Sequence, residues 1–277
     1  MAIAEAGWSA RLALTYALRE RRTVLCGREH SGPLLVQKAL YPEGAAVCHS
    51  IILHPPGGIV GGDSLALAAR LGRGSAALLT TPGAGKWYRS AGATARLEQR
   101  FDIAGGAVLE WLPQPSIVFD RALAAAKTEV FLEQDALYLG WDVNCMGRSA
   151  SGERFNAGEL RQRTEVWQQG RRLWCEYARL AGGDPMLAAK AGLAGCTVSA
   201  TLIAAGKDID KGLLDRCRSV ATGAGEHAGI TALPRVLLAR YLGASSEAAM
   251  NYFIALWALL RPALAGRSAV PPRIWKT

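Results

Sequence analysis

The stretch RLALTYALR, residues 11–19, alternates apolar side chains with polar or small ones. Leu12, Leu14, Tyr16 and Leu18 occupy every second position, and in an extended chain such positions share one face. This two-residue period is typical of a half-buried β-strand and not of a helix. We therefore predict β-structure near the N-terminus.

Eight further short apolar runs follow along the chain. They cover residues 34–40, 46–53, 76–80, 107–112, 128–132, 136–143, 164–168 and 173–180. Gly, Pro, Ser or Asn residues separate most of these runs, as expected of strands joined by turns. Many short strands without long helices between them favour stacked sheets, a barrel or a β-helix-like arrangement. The predicted fold is therefore mainly β.

The pattern changes after about residue 185, where alanine and leucine recur at helical spacing. The predicted helices, in the C-terminal third, cover residues 211–221, 230–242 and 246–260. Ser245 or Ser246 is expected to cap the last helix at its N-terminus. Residues 196–204 are expected to add one more strand.

The length of the chain allows one large domain or two small ones. No repeat of fixed period and no low-complexity linker divides its 277 residues. We therefore predict a single domain over residues 1–277, which is β-rich over residues 1–205 and carries helical additions over about residues 206–265.

The charge of the chain indicates which kinds of partner it could bind. There are 32 basic and 23 acidic residues, and the net charge of +9 favours acidic partners. The basic residues are scattered, however, and form no stripe with aromatic side chains between the charges. This distribution argues against a nucleic-acid site.

Targeting signals are not evident in the sequence. The longest apolar run, residues 252–260, ends at Arg261 and Pro262, short of the roughly 20 residues that cross a bilayer. The first residues lack the basic start and unbroken apolar segment of a secretory signal. Six cysteines occur without any C-x-x-C pair, so a zinc knuckle or thioredoxin-like site has little support. We expect a cytoplasmic protein with reduced thiols and no membrane span.

Two glycine-rich segments suggest anion-binding loops but do not match the known motifs. HPPGGIVGGD, residues 54–63, contains neither G-x-G-x-x-G nor G-x-S-x-G, so a tight turn with glycines at positive φ is the simpler interpretation. TTPGAGKWYRS, residues 80–90, has Thr80 where a P-loop needs its first glycine and Trp87 where it needs Ser or Thr. We therefore do not expect the chain to bind a nucleotide.

Four acidic residues lie among apolar or aromatic neighbours in the sequence: Asp63, Glu110, Asp142 and Glu176. Burying a carboxylate is costly unless something pairs with it, so ion pairing is one interpretation. The arginines considered as partners are Arg89, Arg121, Arg148 and Arg179. The alternative is a polar path through the β-core, along which a cation moves between carboxylates without being held tightly.

The four histidines form no zinc motif. Cys48 and His49 point to opposite faces of an ideal strand, so they are not expected to bind one ion. His49 and His54 could still bind nickel or zinc, although a buried, hydrogen-bonded histidine is the commoner case.

Six segments in a fixed order extend along the chain. They are CHSIILHPPGGIVGGD (residues 48–63), TTPGAGKWYRS (80–90), LEWLPQPSIVFDRA (109–122), GWDV (140–143), LAGGD (180–184) and WALLRPALAGRSAVPPRIW (257–275). Each is weak alone, but the set in this order resembles the UreD (also called UreH) family of urease accessory proteins. The resemblance implies a β-rich protein with few helices and no catalytic activity of its own.

The resemblance also implies partners and a route for nickel. Members of this family bind UreF and, through UreF, the GTPase UreG, and the assembly docks on apo-urease to deliver nickel. A tunnel is thought to carry the metal, and by resemblance Asp63, Asp142 and Glu176 match polar positions along it, with Lys86 near the route. Nickel would be carried only transiently, and no cofactor is expected to stay bound. Glu110, His49 and His54 are weaker candidates, taken from the residues alone.

Two other functions compete with this one. A hydrolase could use the loop at residues 54–63 with Glu110 or Asp142 as a general base. A pure interaction module would use every acidic residue in a structural ion pair. Tyr252 and Trp257, in the last predicted helix, could form an apolar surface for UreF, although an aromatic stripe is more often core.

Overall fold

The computed structural model describes residues 7–276. Within that range the chain forms seventeen β-strands and two α-helices. The strands are β1 (Ser9–Arg19), β2 (Arg22–Ser31), β3 (Leu35–Val36), β4 (Cys48–Leu53), β5 (Ser64–Leu71), β6 (Ala76–Thr80), β7 (Gly85–Trp87), β8 (Ala95–Ile103), β9 (Val108–Trp111), β10 (Ser116–Val118), β11 (Leu123–Leu132), β12 (Leu137–Met146), β13 (Glu159–Gln168), β14 (Arg171–Ala181), β15 (Val198–Ala205), β16 (His227–Leu233) and β17 (Val236–Gly243). The helices are α1 (Lys211–Arg218) and α2 (Ser246–Ala265).

The strands form two sheets. The first sheet has seven strands in the order β14-β13-β11-β8-β5-β1-β2. The second has ten, with β16-β17-β15-β12-β9-β6-β4-β3 as its main path and β7 and β10 attached beside β12. From β4 to β13 the long strands alternate between the two sheets, and sequential members of each sheet pair in parallel. The chain thus winds as a two-sheet, solenoid-like coil, which confirms the predicted fold class.

The N-terminal strand follows the predicted alternation. Leu12, Leu14 and Tyr16 in β1 are buried in the core between the two sheets, while Leu18 near the strand end is 42% exposed. Burying a side chain of this size contributes about 1.5–3 kcal/mol. The two-residue period therefore selects the face of β1 that the second sheet covers.

Several predicted strands are confirmed and others were missed. The apolar run 76–80 is β6, and the run 196–204 overlaps β15. The run 34–40 is a strand only over Leu35–Val36. The strands β5 and β8 were missed. Each has one face that is exposed or only partly buried, and alanine or charged residues occupy that face.

As far as residue 276, the C-terminal third contains two α-helices rather than the three predicted. Residues 230–242, predicted as a helix, form most of the antiparallel hairpin β16–β17, with Leu233 paired to Val236. Pro234 and Arg235 make the turn, and Arg235 takes a positive φ of 61°. Strand β17 is covered on both sides, so apolar residues follow one another along it. This sequence pattern does not differ from that of a buried helix.

Helices α1 and α2 cover the outer face of the second sheet. Ser245 caps α2, because its hydroxyl accepts from the backbone N–H of Ala248 at 3.1 Å. The helix continues through Pro262 and ends at Gly266, which has a φ of 66°. By length and composition α2 could cross a membrane, but half of its most apolar stretch is buried inside the protein. It is a core helix of this fold.

The aromatic residues of α2 do not form an open surface. Tyr252 is 6% exposed and Trp257 is 1% exposed. Tyr252 lies 6.0 Å from Tyr241 between ring centroids, and Trp141 and Phe253 meet at 6.2 Å. The prediction that Tyr252 and Trp257 contact UreF is therefore corrected: both side chains hold α2 against the second sheet.

Candidate functional site

A cavity of about 390 Å³ lies between the two sheets. The loops that follow β4, β6 and β9 form one side of it, and the first halves of β5, β8, β11 and β13 form another. On this side the chain crosses from the second sheet to the first. Its polar lining residues include His54, Lys86, Gln99, Gln114, Asp142 and Asn144.

Strand β12 supplies the one acidic side chain that lines this cavity among the described residues. Trp141 and Val143 point outward and pack under the helices, whereas Asp142 and Asn144 point to the cavity. The side-chain amide of Asn144 donates to Gln162 Oε1 at 3.1 Å, which links the two sheets. The alternation along β12 thus brings a carboxylate into the interior beside neutral amides.

The Asp142 carboxylate accepts no hydrogen bond and forms no ion pair within residues 7–276. Burial raises the pKa of Asp142 from 3.8 to about 6, and the nearby Glu176 carboxylate adds to this rise. An unpaired carboxylate that faces a cavity has free lone pairs for a cation. Asp142 is the best placed of the predicted transit residues.

Two rows of polar side chains face each other, partly in the lining of the cavity and partly beyond it. On the first sheet, Gln99, Thr128, Thr164 and Glu176 are paired across β8, β11, β13 and β14. The hydroxyl of Thr128 donates to Gln99 Oε1 at 2.8 Å. On the second sheet, Asp142, Thr201 and Arg240 are paired across β12, β15 and β17.

Glu176 joins the two rows through an ion pair. Arg240 donates from Nη1 to Glu176 Oε1 at 2.6 Å and to Thr201 Oγ1 at 3.1 Å. The sequence suggested an arginine partner for Glu176, but the residue is Arg240. It was missed because residues 230–242 were predicted as a helix, in which Arg240 has no cross-strand neighbours.

The glycine-rich loop closes another part of the cavity. Gly57 and Gly62 have φ values of 76° and 96°, as the turn interpretation predicted. Gly58 is required for close approach, because a Cβ there would lie 2.4 Å from the Tyr88 ring and 3.0 Å from Lys86 Cβ. The loop can therefore pack directly on β7 and bring His54 and Lys86 to the lining.

Asp63 has a structural role at the end of this loop. Its two carboxylate oxygens accept from the backbone N–H groups of Trp8 at 2.8 Å and Val60 at 2.9 Å. Asp63 is 8% exposed and does not line the cavity. It also favours the protonated form of His54, but burial of His54 outweighs this and lowers the pKa of the imidazole.

Comparison with known proteins identifies the family. The model of the family described as "UreD urease accessory protein" matches residues 9–276. A urease accessory protein UreD of Azoarcus sp. (strain BH72) is 53% identical over 274 residues, covering 99% of this chain and 96% of that protein. One from Dechloromonas aromatica (strain RCB) is 53% identical over 273 residues, covering 98% and 95%. The chain belongs to the UreD urease accessory protein family. This membership supports a role in urease maturation.

The remaining predicted residues of this UreD family member lie on the other side of the second sheet. His49 and Glu110 are in one cross-strand row with Leu78, beneath α2. Cys48 faces the core between the sheets, so Cys48 and His49 do point to opposite faces. His49 and Glu110 are therefore separated from the cavity by the sheet itself.

Glu110 belongs to a buried ionic cluster of this UreD-family fold. Arg261 of α2 donates to both Glu110 oxygens, with Nη2 at 2.9 Å from Oε2, and to Glu43 at 2.6 Å. Trp257 donates to Glu110 Oε1 at 2.6 Å, and His49 Nε2 lies 2.5 Å from Glu43 Oε1. Burial raises the pKa of Glu110 although Arg261 opposes it. The cluster anchors α2 to the sheet.

Sequence reasoning missed both arginines that pair with the candidate carboxylates. It considered Arg89, Arg121, Arg148 and Arg179, of which Arg148 pairs with Glu153 and Arg179 with Glu159. Arg261 was noted only as the end of an apolar run. A charged residue inside an otherwise apolar helix is itself a signal for a buried counterion.

No group of three or more His, Cys, Asp or Glu side chains that could hold a metal ion occurs in residues 7–276. Among the described residues of this UreD family member, the cavity is lined by a single carboxylate, with amide, hydroxyl, imidazole, amino and guanidinium groups around it.

Proposed function

We propose that this chain carries nickel ions transiently through the cavity between its sheets, on their way to urease. Asp142 is the carboxylate that the ion meets inside. The observation that carries this proposal is that Asp142 faces the cavity without a partner, while its pKa is raised. A protein keeps such a group at a cost in stability, which suggests a role other than packing.

The ligand chemistry of the cavity suits passage. Oxygen ligands bind Ni²⁺ more weakly than clusters of imidazole or thiolate do. The neutral amides of Asn144 and Gln114 can replace part of the hydration shell without adding charge. His54, Lys86 and Arg163 also line the cavity, and the positive charges of the lysine and the arginine oppose the accumulation of cations there.

The partners in this proposal are those that the resemblance to the UreD family implies. We propose that the chain acts in the cytoplasm, binds UreF and, through it, the GTPase UreG, and docks with them on apo-urease. It would then be a non-catalytic scaffold with a conduit, and nickel would be its cargo and not a resident cofactor. The protein's net charge of +9 favours acidic surfaces on these partners.

Three of the four candidate carboxylates are engaged by other groups: Asp63 by backbone amides, Glu110 by Arg261 and Glu176 by Arg240. These contacts favour a structural role for Asp63 and Glu110. The two hypotheses, a pure interaction module and a conduit, therefore differ mainly in the effect that they predict for changes at Asp142.

The test is urease activation in cells that express the urease subunits with their accessory proteins. The chain is supplied as wild type, as Asp142→Asn, as Asp142→Ala or not at all. Asp135→Asn is the matched control, because Asp135 is an exposed turn residue with a φ of 61°, which asparagine tolerates. Urease activity, nickel per urease and recovery of UreF with the chain are measured together.

A conduit predicts that both Asp142 variants lower activity and nickel content while UreF still co-purifies. Asp135→Asn should behave as wild type. If the chain is required but the Asp142 variants activate urease normally, the chain is a scaffold and the conduit is wrong.

A further inference from the structure

An ion pair lies beside the cavity on the side of β14 and β17. Thr164 and Asp142 line the cavity, but Glu176 and Arg240 do not. Glu176 is the next residue after Thr164 in the row of the first sheet, and Arg240 follows Asp142 and Thr201 in the row of the second. The pair therefore stands just beyond the lining. We call this pair the clasp.

The clasp joins the two sheets at a position that is partly exposed to solvent. The Glu176 side chain is 26% exposed and that of Arg240 is 42% exposed, whereas the clasp's own contact is short at 2.6 Å. Arg240 is also held by Thr201. An ion pair of this exposure is easily exchanged, because water stabilises both groups once they separate.

Within the described residues, Glu176 has one cationic partner, and Asp142 has none. The two carboxylates are near enough that the charge of Glu176 raises the pKa of Asp142. Together they would form a stronger cation site than either alone. The position of Arg240 prevents this while the clasp is closed.

We propose that Arg240 controls the cavity by competing with the transiting metal ion for Glu176. A dication at Asp142 draws Glu176 away from Arg240, moves past the parted clasp, and is released when Arg240 recovers Glu176. Arg240 is thus a positioning residue that limits how tightly the cation is held. This inference rests on the proposed conduit and adds a specific control to it.

The test uses the assembled complex of the chain with its partner accessory proteins. Variants Arg240→Gln, Arg240→Lys and the double variant Arg240→Gln with Glu176→Gln are compared with wild type. Arg179→Gln is the matched control, because it breaks an arginine–glutamate pair away from the cavity. Ni²⁺ affinity and release are measured by equilibrium dialysis and by transfer to a chromogenic chelator, and urease activation is measured in cells.

Arg240→Gln should bind Ni²⁺ about tenfold more tightly and release it about tenfold more slowly, since a freed carboxylate adds one charged ligand. Urease activation should fall accordingly. Arg240→Lys should stay near wild type, and removing the Glu176 charge in the double variant should restore the weak affinity. Restoration distinguishes the clasp from a loss of folding, which a second substitution would not repair.

The proposal is overturned if Arg240→Gln leaves affinity and release unchanged, or if the double variant keeps the tight binding. If Asp142→Asn still lowers activation in that case, the conduit stands without the clasp. If Asp142→Asn also has no effect, both proposals fail.

Discussion

Replacing Asp142 by asparagine is expected to stabilise the protein at neutral pH while it impairs urease activation. The pKa of Asp142 rises from 3.8 to about 6 on folding. Each pKa unit corresponds to about 1.36 kcal/mol, so the ionised form costs the folded state at most about 3 kcal/mol. Because Asp142 is only partly buried, solvent screening reduces this value, and we expect Asp142→Asn to raise the free energy of unfolding at pH 7.5 by about 1–3 kcal/mol.

The pH dependence has a definite sign. The folded protein binds more protons than the unfolded chain between the two pKa values, so the contribution of Asp142 to stability decreases as the pH rises from about 4 to about 6. Below that window the carboxyl group is neutral in both states. The variant should therefore differ from wild type above pH 6 and converge with it near pH 4.

Urea denaturation of the purified protein between pH 4 and pH 8 measures this difference. Asp135→Asn is the control, because it changes an exposed carboxylate of the same type. Equal m-values in variant and wild type would show that the comparison reports stability alone. A loss of stability in Asp142→Asn at pH 7.5 would refute the reasoning, since it would mean that the carboxylate is held by a stabilising partner.

Three further predictions concern the framework of the site. Arg261→Met should lower the free energy of unfolding, measured by urea denaturation, by about 3–5 kcal/mol, because Glu110 remains buried without its counterion. Adding Glu110→Gln should recover part of this loss. A neutral effect of Arg261→Met would contradict the buried cluster. Trp257→Ala should cost about 3–5 kcal/mol by thermal or urea unfolding through loss of core packing, and undiminished stability would instead place Trp257 on a surface. Gly58→Ala should cost about 1–3 kcal/mol and lower urease activation, because its Cβ meets the Tyr88 ring; the clash is disproved if both properties are unchanged.

Much of the fold could be predicted from local patterns. The alternation in β1 and the short apolar runs gave the β-rich character, because a strand with one buried face repeats every two residues. The prediction was wrong at residues 230–242, where β17 is covered on both sides and alanine and leucine suggested a helix. A strand buried on both faces has no period of two, so the local sequence does not distinguish it from a buried helix.

The candidate site was predicted in part. Asp142 was recognised as a carboxylate among apolar neighbours, and the structure brings it to the cavity with His54 and Lys86. Glu110 had the same local signature, yet it lies on the opposite face of the second sheet beneath α2. Neighbouring residues in sequence indicate that a carboxylate is buried, but not which of two buried faces receives it.

The amino-acid sequence alone determined that this chain is a β-rich member of the UreD family with a glycine-dependent loop and four carboxylates among apolar or aromatic neighbours. Only the tertiary structure decided which carboxylates are paired. Arg240 meets Glu176 over 64 positions of sequence, and Arg261 meets Glu110 over 151. These partners depend on how the two sheets and α2 stack, which is a property of long-range packing and not of local residue patterns.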